Sequence, residues 1–282
     1  MTWSEKYLPK DDAGAEIRTA KALAANLANK LHTSVDGDGL RQCSKTALSS
    51  DWVIPNAEDV RAGGRNFIEA HQVRIQALPT RARRMRGRPL LPSTCRAGCR
   101  TAETPYHTVQ CCFRSHAGRL SRHDHLCKYV ADILEKRGWK IEREVTLRTD
   151  LGNRRPDLLC VKDQRAVILD GQVVSSVYDL DLNNSHKVRK YGDHLDLKKR
   201  VAERYHLELH QVESAAITIS WRGVWSREST AQLLSLGLRR QELARIPPKV
   251  LIGSHMCFRI FERRTDRWVD PRFQRVNRTG VG

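Results

Sequence analysis

The sequence contains no apolar run approaching the ~20 residues that a helix needs to cross a bilayer. Its opening, Met1-Thr2-Trp3-Ser4-Glu5-Lys6, has none of the apolar core of a secretory signal. Neither a helical membrane span nor an export signal is readable, so no membrane partner is expected and the chain reads as intracellular. Internal repeats are absent too, which argues against a solenoid or an array. Acidic residues are in short supply: 32 Asp and Glu face 50 Lys and Arg, leaving a net charge of +18 and a pI near 10.0. That imbalance points to a polyanionic partner. The shortage is sharpest from Arg74 to Arg100, where eight Arg occur and no acid, mostly in Thr80-Arg81-Ala82-Arg83-Arg84-Met85-Arg86-Gly87-Arg88. Such a segment is either a solvated linker or localisation signal, or a strap that grips phosphates. Arg favours the strap, because its planar fork makes bidentate phosphate contacts.

A hydrophobic content of 40% is enough for a core, and 282 residues suggest two modules or one large domain. Helical spacing of apolar residues marks roughly 13 to 31 and, after Pro55, about 56 to 78. Pro89 and Pro92 close the Arg-rich stretch. From Leu120 the pattern becomes α/β. A helix to Arg137 precedes alternation at Ile141, Arg143, Val145 and Leu147, and then two apolar runs, 158 to 161 and 167 to 169. A long charged helix from about Asn183 to Tyr205 follows, and then a strand with Ala215, Ile217, Ile219 and Trp221. Leu233 to Arg240 and Val250 to Glu262 read as further helices packed outside.

Eight Cys and eleven His in a reducing compartment are better read as thiols and metal ligands than as a disulfide frame. Cys95-x3-Cys99-x7-His107-x4-Cys112 offers four soft or borderline donors at spacings that can close a tetrahedron around Zn²⁺, with Cys111 an alternative last ligand. Four protein ligands leave no open position, so the ion's role would be structural. His116, His123, His125 and Cys127 follow closely but without matching spacing, and read as ordinary surface or polar-contact side chains.

The most informative segment runs from Arg154-Arg155-Pro156-Asp157 to Asp170-Gly171-Gln172. If its two apolar runs form a hairpin turning at Asp163-Gln164, Asp157 and Asp170 face each other across it, with Cβ atoms ~4.5 to 5.5 Å apart. Two carboxylates so close repel unless a cation lies between them, and an oxygen-loving ion such as Mg²⁺ would relieve the clash. A one-residue slip or a bulge would separate them. On the following helix Lys187, Lys190 and His194 share one stripe beside Val188, Tyr191 and Leu195. A lysine there could reach over the strand ends and neutralise a reacting phosphate.

At this point the residues resemble a known family. The element order with Arg155-Pro156-Asp157 and Asp170-Gly171-Gln172 is similar to the restriction-endonuclease-like PD-(D/E)xK core, an αβββαβ fold with a mixed sheet. More specifically, Cys95-Arg96-Ala97-Gly98-Cys99, Glu103-Thr104 with His107, and Arg119 with Arg122-His123-Asp124 resemble site-specific non-LTR retrotransposon proteins that insert into ribosomal RNA genes. The likeness spans roughly Asn66 to Ile219. It implies a helical, Arg-rich linker over 1–92, a CCHC zinc knuckle over 93–118 and a nuclease with C-terminal helices over 119–282. It implies Asp157 and Asp170 as Mg²⁺-holding catalytic carboxylates, Lys187 as the catalytic lysine with Lys190 as helper, and Gln172 where many related nucleases carry their lysine. Cys95, Cys99, His107 and Cys112 become the zinc ligands, and Arg81, Arg83, Arg84, Arg86, Arg119 and His123 the nucleic-acid contacts. The implied activity is nicking of a chromosomal strand to prime reverse transcription, in the nucleus, with target DNA and element RNA as partners. No Tyr/Phe-x-Asp-Asp polymerase signature occurs, so the chain is expected to be the C-terminal portion of a longer reading frame, a degenerate copy or a truncated gene prediction. A catalytically silent nucleic-acid-binding fragment is the alternative function.

Overall fold

The computed structural model describes residues 9–11, 13–53, 64–88 and 92–265. The chain divides into two compact units, Met1–Arg41 and Gln42–Gly282. In the first, helix α1 spans Ala20–Thr33 and starts later than the apolar spacing suggests. Thr19 is extended, and its hydroxyl accepts the Ala22 N–H at 3.1 Å. That capping bond fixes the first turn and leaves 13–18 outside the helix.

The second unit contains α2 (Gly64–Arg74), the short α3 (Arg81–Arg84), α4 (His116–Glu135), β1 (Lys140–Arg143), β2 (Leu147–Thr149), β3 (Gly152–Arg154), β4 (Leu158–Lys162) and β5 (Arg165–Val174). After these come α5 (Leu180–Gly192), α6 (Leu195–Tyr205), β6 (Val212–Ser220), α7 (Arg227–Ser235), α8 (Arg240–Ala244) and α9 (Ile246–Thr265). Both expected domain boundaries, after 92 and after 118, fall inside this unit. Of the expected 56-to-78 helix, 64–74 is helical and 54–63 lies outside the described residues.

The sheet has the order β1-β4-β5-β6, with the first three strands antiparallel and β6 parallel to β5. Its register is the one the hairpin reading requires: Leu158 faces Leu169 and Lys162 faces Arg165. The turn residues Asp163 and Gln164 both adopt positive φ, 46° and 58°, as a two-residue loop matched to strand twist demands. β4 and β5 are apolar on both faces because helices cover both. Leu158, Cys160, Val167 and Leu169 pack with Leu126, Val130 and Leu134 of α4, while Leu159, Ala166 and Ile168 pack with Tyr191, Leu197 and Val201.

Three elements depart from the sequence reading. The alternation from Ile141 to Leu147 is not one strand: Glu144 turns to φ 51° and gives its N–H to the Asp157 carbonyl at 2.9 Å, so the chain bends into a separate β2–β3 hairpin. The charged helix from Asn183 is two helices. Gly192-Asp193 ends α5, and His194 caps α6 by accepting the Leu197 N–H. The helices expected outside are partly interior: Leu251, Cys257, Phe258 and Phe261 of α9 are buried with Trp221, Ala70 and Val73. α9 packs closely on α4, where a Cβ on Gly118 would meet the Cys257 Cα at 3.0 Å. No helix among the described residues is long and apolar enough to cross a membrane.

Candidate metal centres

The loop from Cys95 to Cys112 is organised by one buried acid. Glu103 is fully buried; its carboxylate accepts the N–H of Arg81 (2.9 Å) and of Arg96 (3.0 Å), and Arg96 Nη2 at 2.7 Å. Two turns of chain are thereby fixed to a single side chain. A bridge between Thr94 and Ala102 and the Cys95 N–H to Thr101 carbonyl bond (2.9 Å) close the small loop that carries Cys95 and Cys99. The Thr104 hydroxyl accepts the His107 N–H at 3.0 Å and opens the helical turn His107–Cys111. Cys112, fully buried, follows at once, whereas Cys111 is exposed.

One donor atom from each of Cys95, Cys99, His107 and Cys112 lies within 4.8 Å of the others. Cys99 Sγ and Cys112 Sγ are 3.8 Å apart, about the separation of two sulfurs each ~2.3 Å from a tetrahedral Zn²⁺. His107 Nδ1 pairs with the Thr101 hydroxyl at 3.1 Å, while Nε2 is buried with no hydrogen-bond partner. Burial pushes Cys95 up to about 12 and raises Cys112 as well. An orphaned imidazole nitrogen beside three clustered sulfurs is the donor set of a closed zinc site, and this group could hold a zinc ion.

The second centre lies where the ends of β4 and β5 meet α4 and α5. Asp157, just before β4, accepts the Gly171 N–H at Oδ2 (2.6 Å), and the same oxygen pairs with His123 Nε2 at 3.1 Å. Gly171 is required here, because a Cβ would stand 2.6 Å from Cys127 Sγ on α4. Asp170 is buried, and Lys187 Nζ approaches its Oδ2 at 2.7 Å. The contact is an ion pair without hydrogen-bond alignment, since that oxygen has no aligned donor. Burial and then the neighbouring Asp157 raise Asp170. Burial also pushes Asp157 up, but the bonds from His123, Asp170 and the Gly171 N–H outweigh it and hold the carboxyl well below its usual range. The two carboxyls thus split as a like-charged pair must. His123 is raised in turn, first by Asp157 and then by Cys127, against its burial.

The structure therefore brings Asp157, Asp170 and Lys187 together. Lys190 is exposed, with Nζ 4.9 Å from the Tyr191 ring centroid. His194 is removed from the expected stripe by the break between α5 and α6. Gln172 turns away, giving its amide hydrogens to the Asn183 carbonyl (3.0 Å) and the Thr218 hydroxyl (2.9 Å), which ties β5 to the start of α5. Of the arginines, Arg81 is pinned near Glu103, Arg83 donates to the Gln76 carbonyl (3.1 Å), and Arg119 donates to the Cys112 carbonyl (2.7 Å); Arg84 and Arg86 are exposed. His123 and Cys127, read as polar-contact side chains and His123 also as an implied nucleic-acid contact, are polar contacts of the carboxylate centre, His123 on Asp157 and Cys127 on His123; their i, i+4 spacing on α4, beside the core positions Leu126 and Val130, is the signal that could have placed them there. Tyr191, read as an apolar position, has its hydroxyl raised by burial and then by Asp170.

The retrovirus-related Pol polyprotein of the type-1 retrotransposable element R2 of Nasonia vitripennis is 36% identical over 252 residues, 89% of this chain. The chain belongs to the R2 retrotransposon Pol family. Within that family, the Pol polyprotein of the type-2 element R2DM of Drosophila melanogaster is 32% identical over 87% of the chain, and that of R2 from Bradysia coprophila 34% over 78%. The chain spans about a quarter of the length of these curated R2 relatives, 24%, 23% and 25% respectively. No protein-family model matches it.

Proposed function

We propose that residues 42–282 are a Mg²⁺-dependent DNA endonuclease with the PD-(D/E)xK core, which nicks a chromosomal target strand so that the freed 3′ hydroxyl primes reverse transcription of the element. The observation that carries this reading is the pairing of Asp157 with buried Asp170 and the approach of Lys187 to within 2.7 Å of Asp170 Oδ2. Two facing carboxylates with one unaligned, buried oxygen suit a hard divalent ion, and Asp157 and Asp170 would hold it. When bound, such an ion activates water and stabilises the departing oxygen. The chain's own groups do the rest. The Gly171 N–H and His123 fix the Asp157 carboxylate in one orientation, and Lys187, partly exposed, offers its charge to the scissile phosphate. The Cys95–Cys112 group, holding Zn²⁺, together with exposed Arg84 and Arg86, would position the backbone of the DNA and of the element RNA. The workplace is the nucleus.

Purified chain should nick supercoiled DNA with Mg²⁺ and lose that activity in Asp157→Ala. Equal nicking by both proteins would overturn the assignment. Salt-sensitive binding without metal-dependent cleavage by wild type would mean the silent, nucleic-acid-binding alternative.

A further inference from the structure

Cys127 serves no purpose in the nuclease just described, yet it is buried at the same strand ends. Its Sγ lies 3.7 Å from His123 Nε2, which is 3.1 Å from Asp157 Oδ2, and the three donor atoms all fall within 4.8 Å of one another. Donors around one tetrahedral ion, with Zn–N and Zn–O near 2.0–2.2 Å and Zn–S near 2.3 Å, stand roughly 3.3 to 3.7 Å apart. The thiol-to-imidazole spacing matches that cradle, and the imidazole-to-carboxylate spacing is a few tenths of an ångström shorter, an opening that a small shift of the side chains on ion entry would supply. Both α4 residues project from one face, as i, i+4 side chains do. His123 Nδ1 faces Asp124 Oδ1 at 3.3 Å, the carboxylate backing that orients metal-bound imidazoles. A thiol, an imidazole and one carboxylate form a set that favours Zn²⁺ or Cd²⁺ over Mg²⁺. It supplies three ligands and leaves the fourth position open.

We propose that His123, Cys127 and Asp157 form a second site for a soft divalent ion, separate from the Cys95–Cys112 group, and that an ion held there withdraws Asp157 from the nuclease centre. The site stands on geometry alone. Its consequence, inhibition, rests on the nuclease reading. Zinc acts here as an antagonist of the hard ion, because the two share one carboxylate and differ in the other donors.

The test is equilibrium dialysis of the full chain against a zinc buffer, with bound metal counted by elemental analysis. Wild type should take up a second zinc beyond the one in the Cys95–Cys112 group. Cys127→Ala and His123→Gln should each weaken that second binding by more than about a hundredfold, beyond the loss from altering an outer partner. Both should keep the first zinc, which also shows that they fold. A wild type that never exceeds one zinc, or variants that retain the second, would overturn the site. In parallel, the ratio of nicking rates with and without zinc, at fixed Mg²⁺, should fall steeply for wild type and much less for Cys127→Ala. Equal ratios would overturn the inhibition. If wild type fails to nick at all, the nuclease reading falls, while the zinc count still decides the site.

Discussion

The two centres use overlapping chemistry and reach opposite ends. All four donors of the Cys95–Cys112 group come from one stretch of eighteen residues by sequence position, folded around buried Glu103 and set into the Trp221, Leu251 and Phe258 cluster. A short stretch that closes on itself would saturate an ion with four donors and leave nothing for a substrate. The carboxylate centre draws on α4, the approach to β4, β5 and α5, so no single segment surrounds it. Lys187 stays partly exposed beside a carboxylate pair that repels itself. Saturation stabilises a fold; incompleteness leaves room for chemistry.

Metal removal should separate the two most. Structural zinc sites are supported by apparent binding free energies on the order of 10 kcal/mol. Strong chelation, or Cys112→Ser, should therefore lower the melting temperature of the second unit markedly in a thermal scan. An unchanged melting temperature would put the Cys95–Cys112 group on the same footing as the open centre. The mirror experiment is Asp170→Asn. Nicking should fall by at least about a hundredfold, while the melting temperature holds within a few degrees, because a buried like charge is removed and Lys187 can turn to solvent. A steep loss of stability instead would make this centre structural too. A smaller contrast lies on α5: Lys187→Ala should depress nicking by about tenfold or more, and Lys190→Ala far less, since only Lys187 reaches Asp170. The reverse order would mean that the helix turns on binding DNA.

Both centres were partly legible in the sequence, for different reasons. The convergence of Cys95, Cys99, His107 and Cys112 follows from spacing, because a segment with few apolar residues has little else to hold it. The facing of Asp157 and Asp170 follows from register, because the two-residue turn at Asp163-Gln164 sets Lys162 against Arg165 and Leu158 against Leu169, which leaves the two Asp next in line. What escaped was tertiary. Nothing local announces that Glu144 will adopt positive φ, or that α4 will press Cys127 against Gly171. The α5–α6 break had a local signal in Gly192, masked by uninterrupted charge on either side. The contact Gln172 makes, pinning the start of α5 through Asn183, depends on how β5 packs against that helix.

The smallest effect expected concerns the arginines beside the zinc group. The acid-free run looks uniform in sequence and is not. Arg81 and Arg96 are committed to Glu103, and Arg83 to the Gln76 carbonyl, while Arg84 and Arg86 are exposed. If the exposed pair grips phosphate, replacing both with Ala should reduce the slope of log affinity against log salt by about 0.9 for each phosphate no longer neutralised. The effect should be the same across DNA sequences. Arg81→Ala should do the opposite, weakening the packing around Glu103 and lowering the melting temperature more than the salt slope. Were Arg81 to control the salt slope instead, the guanidinium on Glu103 would have to be released when DNA arrives. The loop that carries the zinc ligands would then be a moving part of the grip, and its separation from the open centre would fail at that point.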